Sequence, residues 1–177
     1  MFSKPVIRPS LSRDIPDITT IYAMHVREGV ASFELTPPSE TEMAQRREAV
    51  IAAGLPHLVA ELDGRVVGYA YASPYRPRPA YDHTVENSVY IADGCQRRGV
   101  GRALMNAVIL ACEAAGKRQM IAVIGDSGNR ASIELHSALG FQHTGRLHNV
   151  GFKHGRWLDT VLMQRHLGPG AATLPTS

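Results

Sequence analysis

Six consecutive residues, Gln96-Arg97-Arg98-Gly99-Val100-Gly101, combine the features of an anion site. They stand between a stretch that reads as a strand and one that reads as a helix. The first N–H groups of a helix have no partner within it and sit at the positive end of its dipole. Glycines let a phosphate come close to that backbone. Arg97 and Arg98, with Arg102 one turn on, add positive charge. Neither common nucleotide loop fits. No Gly-Lys-Ser/Thr follows, and a dinucleotide fingerprint would need a third glycine at position 104, where the chain has Leu. The pyrophosphate of a different cofactor is expected here, although the same glycines also suit plain close packing of helix on strand.

A second group lies downstream, Asn129-x-x-Ser132-x-x-x-His136-x-x-x-Gly140-Phe141. Its spacing predicts a short helix with Asn129 as N-cap and Gly140 as stop. The remaining histidines (His25, His57, His83, His143, His148, His154 and His166) show no metal-ligand spacing, and no metal is expected. Cys95 and Cys112 lack the pairing of a zinc site or redox dithiol, so two reduced thiols in the cytoplasm are expected.

The elements that carry these groups follow from pattern and turn chemistry. Val6-Ile7-Arg8 reads as a first strand, and 14–26 as a helix with Asp14 or Ser12 as cap and Pro16 in its first turn. After a loop ending at Pro37-Pro38, Ser39 and Glu42 predict a capping box opening a helix to about Ala53. Asp63-Gly64 between 58–62 and 66–72 predicts a type I′ hairpin. Pro74-Tyr75-Arg76-Pro77-Arg78-Pro79 is expected to be an irregular loop. A strand over 84–92, a helix over 99–115, a strand over 120–124, a helix over 129–139 and strands over 147–150 and 157–164 complete the chain. The order predicts an α/β (α+β) fold with a largely antiparallel sheet, its parallel portion between 84 and 124.

Composition sets the outer limits. With 177 residues, 44% of them hydrophobic and 20% charged, the chain has enough apolar material for one ordinary core and too little charge for a disordered segment. No apolar run approaches the ~20 residues of a membrane span, and Met1-Phe2-Ser3-Lys4-Pro5 does not read as a secretion signal. A net charge of +3 is too mild to argue for nucleic acid. One domain over 1–167 is expected, with a disordered tail over 168–177.

Together the two motifs resemble the acyl-CoA signature of the GNAT superfamily of N-acetyltransferases, whose element order is that derived above. More narrowly, Thr84-Val85-Glu86-Asn87-Ser88-Val89-Tyr90, Ala122-Val123-Ile124-Gly125 and Gly151-Phe152-Lys153-His154-Gly155-Arg156-Trp157-Leu158-Asp159 are similar to the phosphinothricin/methionine sulfoximine acetyltransferases. The resemblance implies a mixed, mostly antiparallel twisted sheet flanked by helices. It implies acetyl-CoA as co-substrate and the α-amino group of a small, glutamate-like amino acid as acceptor.

It also implies roles. Glu86 matches the family's general base; on bare sequence it is equally a solvent-facing strand residue in an ion pair. His136 stands where the superfamily usually has a Tyr acid, which makes it the implied thiolate partner. The backbone of Val89, Tyr90 and Ile91 would pair with the pantetheine arm, with Asn129 and Ser132 beside it and Gln96, Arg97, Arg98, Gly99, Val100 and Gly101 around the pyrophosphate. Phe33, Arg76, Thr84, Val85 and Glu86 would face the amino acid, Arg76 taking its carboxylate. A homodimer is expected, with Phe152 and Trp157 exposed in or beside a turn. Acetylation of another small amine or a protein N-terminus, and a non-catalytic acyl-CoA-binding module, are the competing readings.

Overall fold

The computed structural model describes residues 4–175. Seven strands form one sheet: β1 (Val6–Pro9), β2 (His57–Leu62), β3 (Arg65–Pro74), β4 (Thr84–Ile91), β5 (Gln119–Gly125), β6 (Gln142–Lys153) and β7 (Arg156–His166). Four helices accompany them: α1 (Ile15–Glu28), α2 (Glu40–Ala52), α3 (Val100–Ala114) and α4 (Arg130–Ala138). The strand order is β1-β2-β3-β4-β5-β7-β6. Only β4 and β5 run parallel, joined through α3 as a parallel pair requires, and every other neighbour is antiparallel.

Two cores lie on opposite faces of this sheet. Alternate residues separate them: Val59 and Tyr69 pack with α1 and α2, whereas Ala60, Ala70 and Val85 pack with α3 and the interior of β5 and β7. Helix α3 presents Val100, Leu104, Met105, Val108 and Cys112 at helical spacing to the larger core. Asp63 and Gly64 both adopt positive φ, 51° and 77°, as a type I′ turn demands.

Several local expectations are replaced by longer-range partners. Asp14 is the N-cap residue of α1 but its side chain caps no N–H of that helix; its carboxylate takes two hydrogen bonds from Arg8, at 2.7 and 2.8 Å, and one from the Leu11 N–H at 2.7 Å. The Ser39 hydroxyl does accept the Glu42 N–H at 3.2 Å, yet the Glu42 carboxylate turns to Arg46, so the box is half made. Pro74 closes β3 instead of starting the loop. The strand expected over 147–150 is the centre of a 12-residue β6 whose pairing is irregular between Leu147 and Gly151, with Asn149 at φ 55°. That bulge interrupts the alternation and hid the strand's length.

Within the stretch expected to be a disordered tail, residues 168–174 make specific contacts. Arg118 donates to the carbonyls of Gly170 and Leu174 and to the Thr173 hydroxyl, and the Gly168 N–H donates to Glu113. Residues 1–3 and 176–177 lie outside the described residues.

Leu104 is fully buried where α3 meets β3. Leu104→Ala is expected to cost about 2–5 kcal/mol, the range for a large-to-small change in a packed core. Denaturant unfolding at constant m-value measures it.

Candidate active site

The site begins where two strands separate. β4 and β5 pair only from Thr84/Gln119 to Asn87/Ala122, although β4 continues to Ile91 and β5 to Gly125. The Ala92 N–H donates to Val67 O and the Thr84 carbonyl accepts from Tyr75, so the even-numbered residues of β4 turn their backbone toward β3. Val89 and Ile91 therefore turn theirs into the gap. Tyr90, expected to share this role, spends its backbone on β3 and its ring on Tyr22, Tyr69 and His25. Ile91 offers only part of its edge, because its carbonyl lies 2.9 Å from His25 Nε2.

A slit of about 50 Å³ fills the gap, lined by Asn87, Ser88, Val89, Gly125, Asn129, Ser132 and His136 among others. It opens into a cleft of about 640 Å³ bounded by Val89, Ile91, Gln96, Arg97, Gly99, Gly101 and Arg102. Asn129 and Ser132 border both. Gly99 caps α3 at φ 80°, a left-handed conformation that favours glycine. The first helical hydrogen bond runs from the Ala103 N–H to Gly99 O, which leaves the N–H groups of Val100, Gly101 and Arg102 without a partner inside the helix. Gly101 has a second reason: a side chain there would crowd Leu135 of α4, at 3.3 Å.

Two residues of the expected anion loop stand apart from the cleft-lining set. Val100 is buried in the core and contributes only backbone. Arg98 does not border the cleft, whereas Arg102 does, since it lies one helical position past Gly101 on the exposed side. Asn129 is the N-cap of α4, accepting the Ser132 N–H at 3.3 Å, and borders the slit as well.

Glu86 stands on the other face of the sheet, with Ser88 and Tyr90 and opposite Ser73 of β3. It is half-buried, and that desolvation raises its pKa above the ordinary carboxylate value, with Arg76 acting in the opposite sense. Arg76 is exposed, its guanidinium 5.1 Å from the Tyr75 ring centroid. Thr84 anchors the same loop by accepting the Tyr75 N–H at 3.3 Å. Val85 cannot face an acceptor there: it is wholly buried in the α3 core, on the opposite face from Glu86. Phe33 packs on Gly125 and Gly151, at the end of β5 and on β6.

His136 borders the slit, but both of its ring nitrogens are engaged by other groups. It is buried; Nδ1 is 2.8 Å from the Ser132 carbonyl and Nε2 is 2.9 Å from Asn87 Oδ1, and both of those oxygens can only accept. Burial lowers its pKa, with the Ser132 carbonyl acting in the opposite sense. The geometry makes His136 the partner that orients Asn87. Sequence reasoning passed over Asn87, although a lone Asn at an inward position of an apolar strand was a visible signal. It also passed over the role of His25, whose helical spacing placed it on the sheet-facing side of α1.

Residues 19–141 match the model of the Acetyltransferase (GNAT) family. The chain belongs to the GNAT acetyltransferase family. It is 59% identical over 162 residues to a phosphinothricin N-acetyltransferase from Alcaligenes faecalis, covering 92% of this chain and 82% of the relative. It is 40% identical over 167 residues to an L-methionine sulfoximine/L-methionine sulfone acetyltransferase from Pseudomonas aeruginosa, covering 92% and 95%. The crystal structure of a GNAT phosphinothricin acetyltransferase from Sinorhizobium meliloti in complex with acetyl-CoA superposes with a TM-score of 0.96 at 47% identity, over 99% of this chain and 95% of that one. The GNAT architecture expected from the residues, one mostly antiparallel sheet with four helices, is therefore the one adopted. Among the described residues no group of three or more His, Cys, Asp or Glu is placed to hold a metal ion, and no helix is long and apolar enough to cross a membrane.

Arg102 borders the cleft and Arg98 does not. Arg102→Ala is expected to weaken coenzyme A binding about five- to tenfold, the order of one exposed charge-assisted contact to a phosphate. Arg98→Ala should leave the affinity within about twofold by the same reasoning. Titration calorimetry on both variants checks the assignment.

Proposed function

We propose that this GNAT enzyme transfers the acetyl group of acetyl-CoA to the α-amino group of small free amino acids such as phosphinothricin, methionine sulfoximine or methionine sulfone. The observation that carries the reading is the half-buried Glu86 carboxylate with the opposite charge of Arg76 within electrostatic reach on the acceptor face, backed by a cofactor-sized cleft on the other. The names of the relatives support the choice of acceptor.

Bound acetyl-CoA supplies an acetyl group activated as a thioester. Gln96, Arg97, Gly99, Gly101, Arg102 and the free N–H groups opening α3 would hold its pyrophosphate. Val89 would pair with its amide arm as an added strand, beside Asn129 and Ser132. On the acceptor face, an amino acid is a zwitterion. Arg76 takes the carboxylate, and Glu86 takes the ammonium and then a proton from it, directly or through a water, so that the free amine can attack the thioester carbonyl. Collapse of the adduct would break the C–S bond, and the departing thiolate would take up the proton that the new amide nitrogen gives up. A raised carboxylate pKa suits this task, because it lessens the mismatch with the amine. The Val89 N–H, turned into the gap, is placed to stabilise negative charge on the carbonyl oxygen.

We place the enzyme in the cytoplasm, where free Cys95 and Cys112 persist as thiols, and read it as a homodimer. β6 is the outer edge of the sheet, and Phe152 and Trp157 at its tip are 57% and 62% exposed with rings 5.2 Å apart. Leu147 and Val150 extend the apolar surface along the strand. An exposed apolar edge strand suits a second copy. Sedimentation velocity at micromolar concentration should show a dimer; a monomer alone counts against this reading.

Glu86→Gln is expected to lower kcat about 10²–10⁴-fold, as loss of a general base does, and leave acetyl-CoA affinity unchanged. The sign for stability is opposite. The folded-state pKa of Glu86 is raised, so its contribution favours folding at acid pH and is lost as pH rises through that value. At neutral pH the ionised carboxylate is a cost, and Glu86→Gln should melt no lower than the wild type. For kcat/KM, the acid limb should fall as Glu86 is protonated and vanish in the variant. Thiol release with acetyl-CoA and a panel of free amino acids, peptides and polyamines tests the acceptor class. Turnover of peptides or polyamines with none of the amino acids would overturn it, and acetyl-CoA binding without any turnover would support a non-catalytic module.

A further inference from the structure

The loop following α1 crosses the end of β5 and is held from three directions. From below, the Lys153 ammonium on β6 donates to the Ser32 carbonyl at 2.7 Å, with Lys153 only 4% exposed. From the helix side, the Tyr22 hydroxyl meets Ser32 Oγ at 2.9 Å and donates to the Glu34 carboxylate at 2.7 Å. From the sheet, Gly125 and Gly151 leave the space that the loop fills: a side chain at Gly125 would strike the Val30 carbonyl, and one at Gly151 the Phe33 ring. Lys153 and Gly151 lie two residues apart on one strand and so face the loop together.

A cation in so dry a place has a cost. Burial lowers the Lys153 pKa and only Glu34 acts to raise it, while the Glu34 carboxylate is committed to Arg46 and Tyr22. An apolar residue of similar length would fill the same space with less penalty, so stability alone does not account for a lysine here. What the ammonium does uniquely is grip a backbone carbonyl one residue before Phe33. The grip spans 121 positions in sequence and ties the β6–β7 hairpin to the loop.

We propose that Lys153 is a positioning residue for the acceptor: by holding Ser32 it seats Phe33 in the cradle of Gly125 and Gly151 and so fixes one wall of the amino-acid pocket. The assignment rests on the reading of Phe33 as a wall of that pocket. Lys153 touches neither substrate in this scheme and acts through Phe33.

Lys153→Met removes the donor and keeps the length. It is expected to raise the acceptor KM tenfold or more with acetyl-CoA affinity within about twofold, since the lost contact is a hydrogen bond to a charged group. If Lys153 works through Phe33, the effects cannot add: Phe33→Ala combined with Lys153→Met should be no worse than Phe33→Ala alone. Hydrogen exchange of the backbone amides in 29–34 should quicken about tenfold or more in Lys153→Met, with the β3 and β4 amides unchanged. Lys153→Gln, which keeps a neutral donor, covers the case in which Lys153→Met does not fold, and its shifts should be smaller and in the same direction. An unchanged acceptor KM, additive effects with Phe33→Ala, or unchanged exchange in the loop would each overturn the proposal. A wild-type enzyme that acetylates no amino acid would instead overturn the acceptor reading, and the exchange measurement would still decide whether Lys153 holds the loop.

Discussion

Past Asn87 and Ala122, β4 and β5 stop sharing hydrogen bonds, and backbone groups of Val89 and Ile91 are left facing an opening inside a sheet. Such groups must be satisfied, because an unpaired buried N–H or C=O costs as much as a lost hydrogen bond. The surrounding structure answers that demand. His25 takes one carbonyl, α4 brings Asn129 and Ser132 to the edge, and the remainder is shaped for an extended ligand that can pair as a strand would. The gap also lets a ligand held on the α3 face reach chemistry on the α1 face.

That division of faces sorts the charges. Arg97, Arg102 and the free helix N–H groups lie on the side where α3 and α4 leave a cleft, and the half-buried Glu86 carboxylate lies on the other. A single strand carries both roles, since successive β4 side chains point to opposite sides. Asn87 serves the inner face, held by His136 and the Ile121 carbonyl, while Glu86 next to it stays half-desolvated. A raised carboxylate pKa and a lowered imidazole pKa arise from the same cause, burial, which disfavours the charged form of each.

The acceptor side depends on packing more than on charge. Without Cβ atoms at Gly125 and Gly151, the loop after α1 can lie directly on the sheet, with Phe33 seated between them. Buried polar contacts from Tyr22 and Lys153 then hold the loop backbone there. Loops are ordinarily the variable part of a fold; this one is fastened to two distant elements.

Sequence alone determined much of this protein. The Asp63-Gly64 turn, the helix stops at Gly54, Gly116 and Gly140, and the helical spacing of α3 are local matters in which backbone sterics and a few side chains decide the outcome. For the same reason the cofactor loop was legible as an anion site before any partner was known, because free N–H groups at a helix start follow from helix geometry itself. Period-two alternation puts Val85 and Glu86 on opposite faces of β4, a constraint that the shared acceptor role expected of them overlooked. It could not say which face each would meet, and so Val85 was expected at the acceptor and is in the core. The same limit applies to His136, a sound proton donor by residue type until Ser132 and Asn87 are seen to occupy its nitrogens, and to Arg98, which adjoins the cleft in sequence but not in space. Lys153 is the extreme case, since nothing in a charged residue beside a hairpin turn reveals a carbonyl 121 residues away. Contacts at that separation depend on how the elements stack, and only the tertiary structure fixes that.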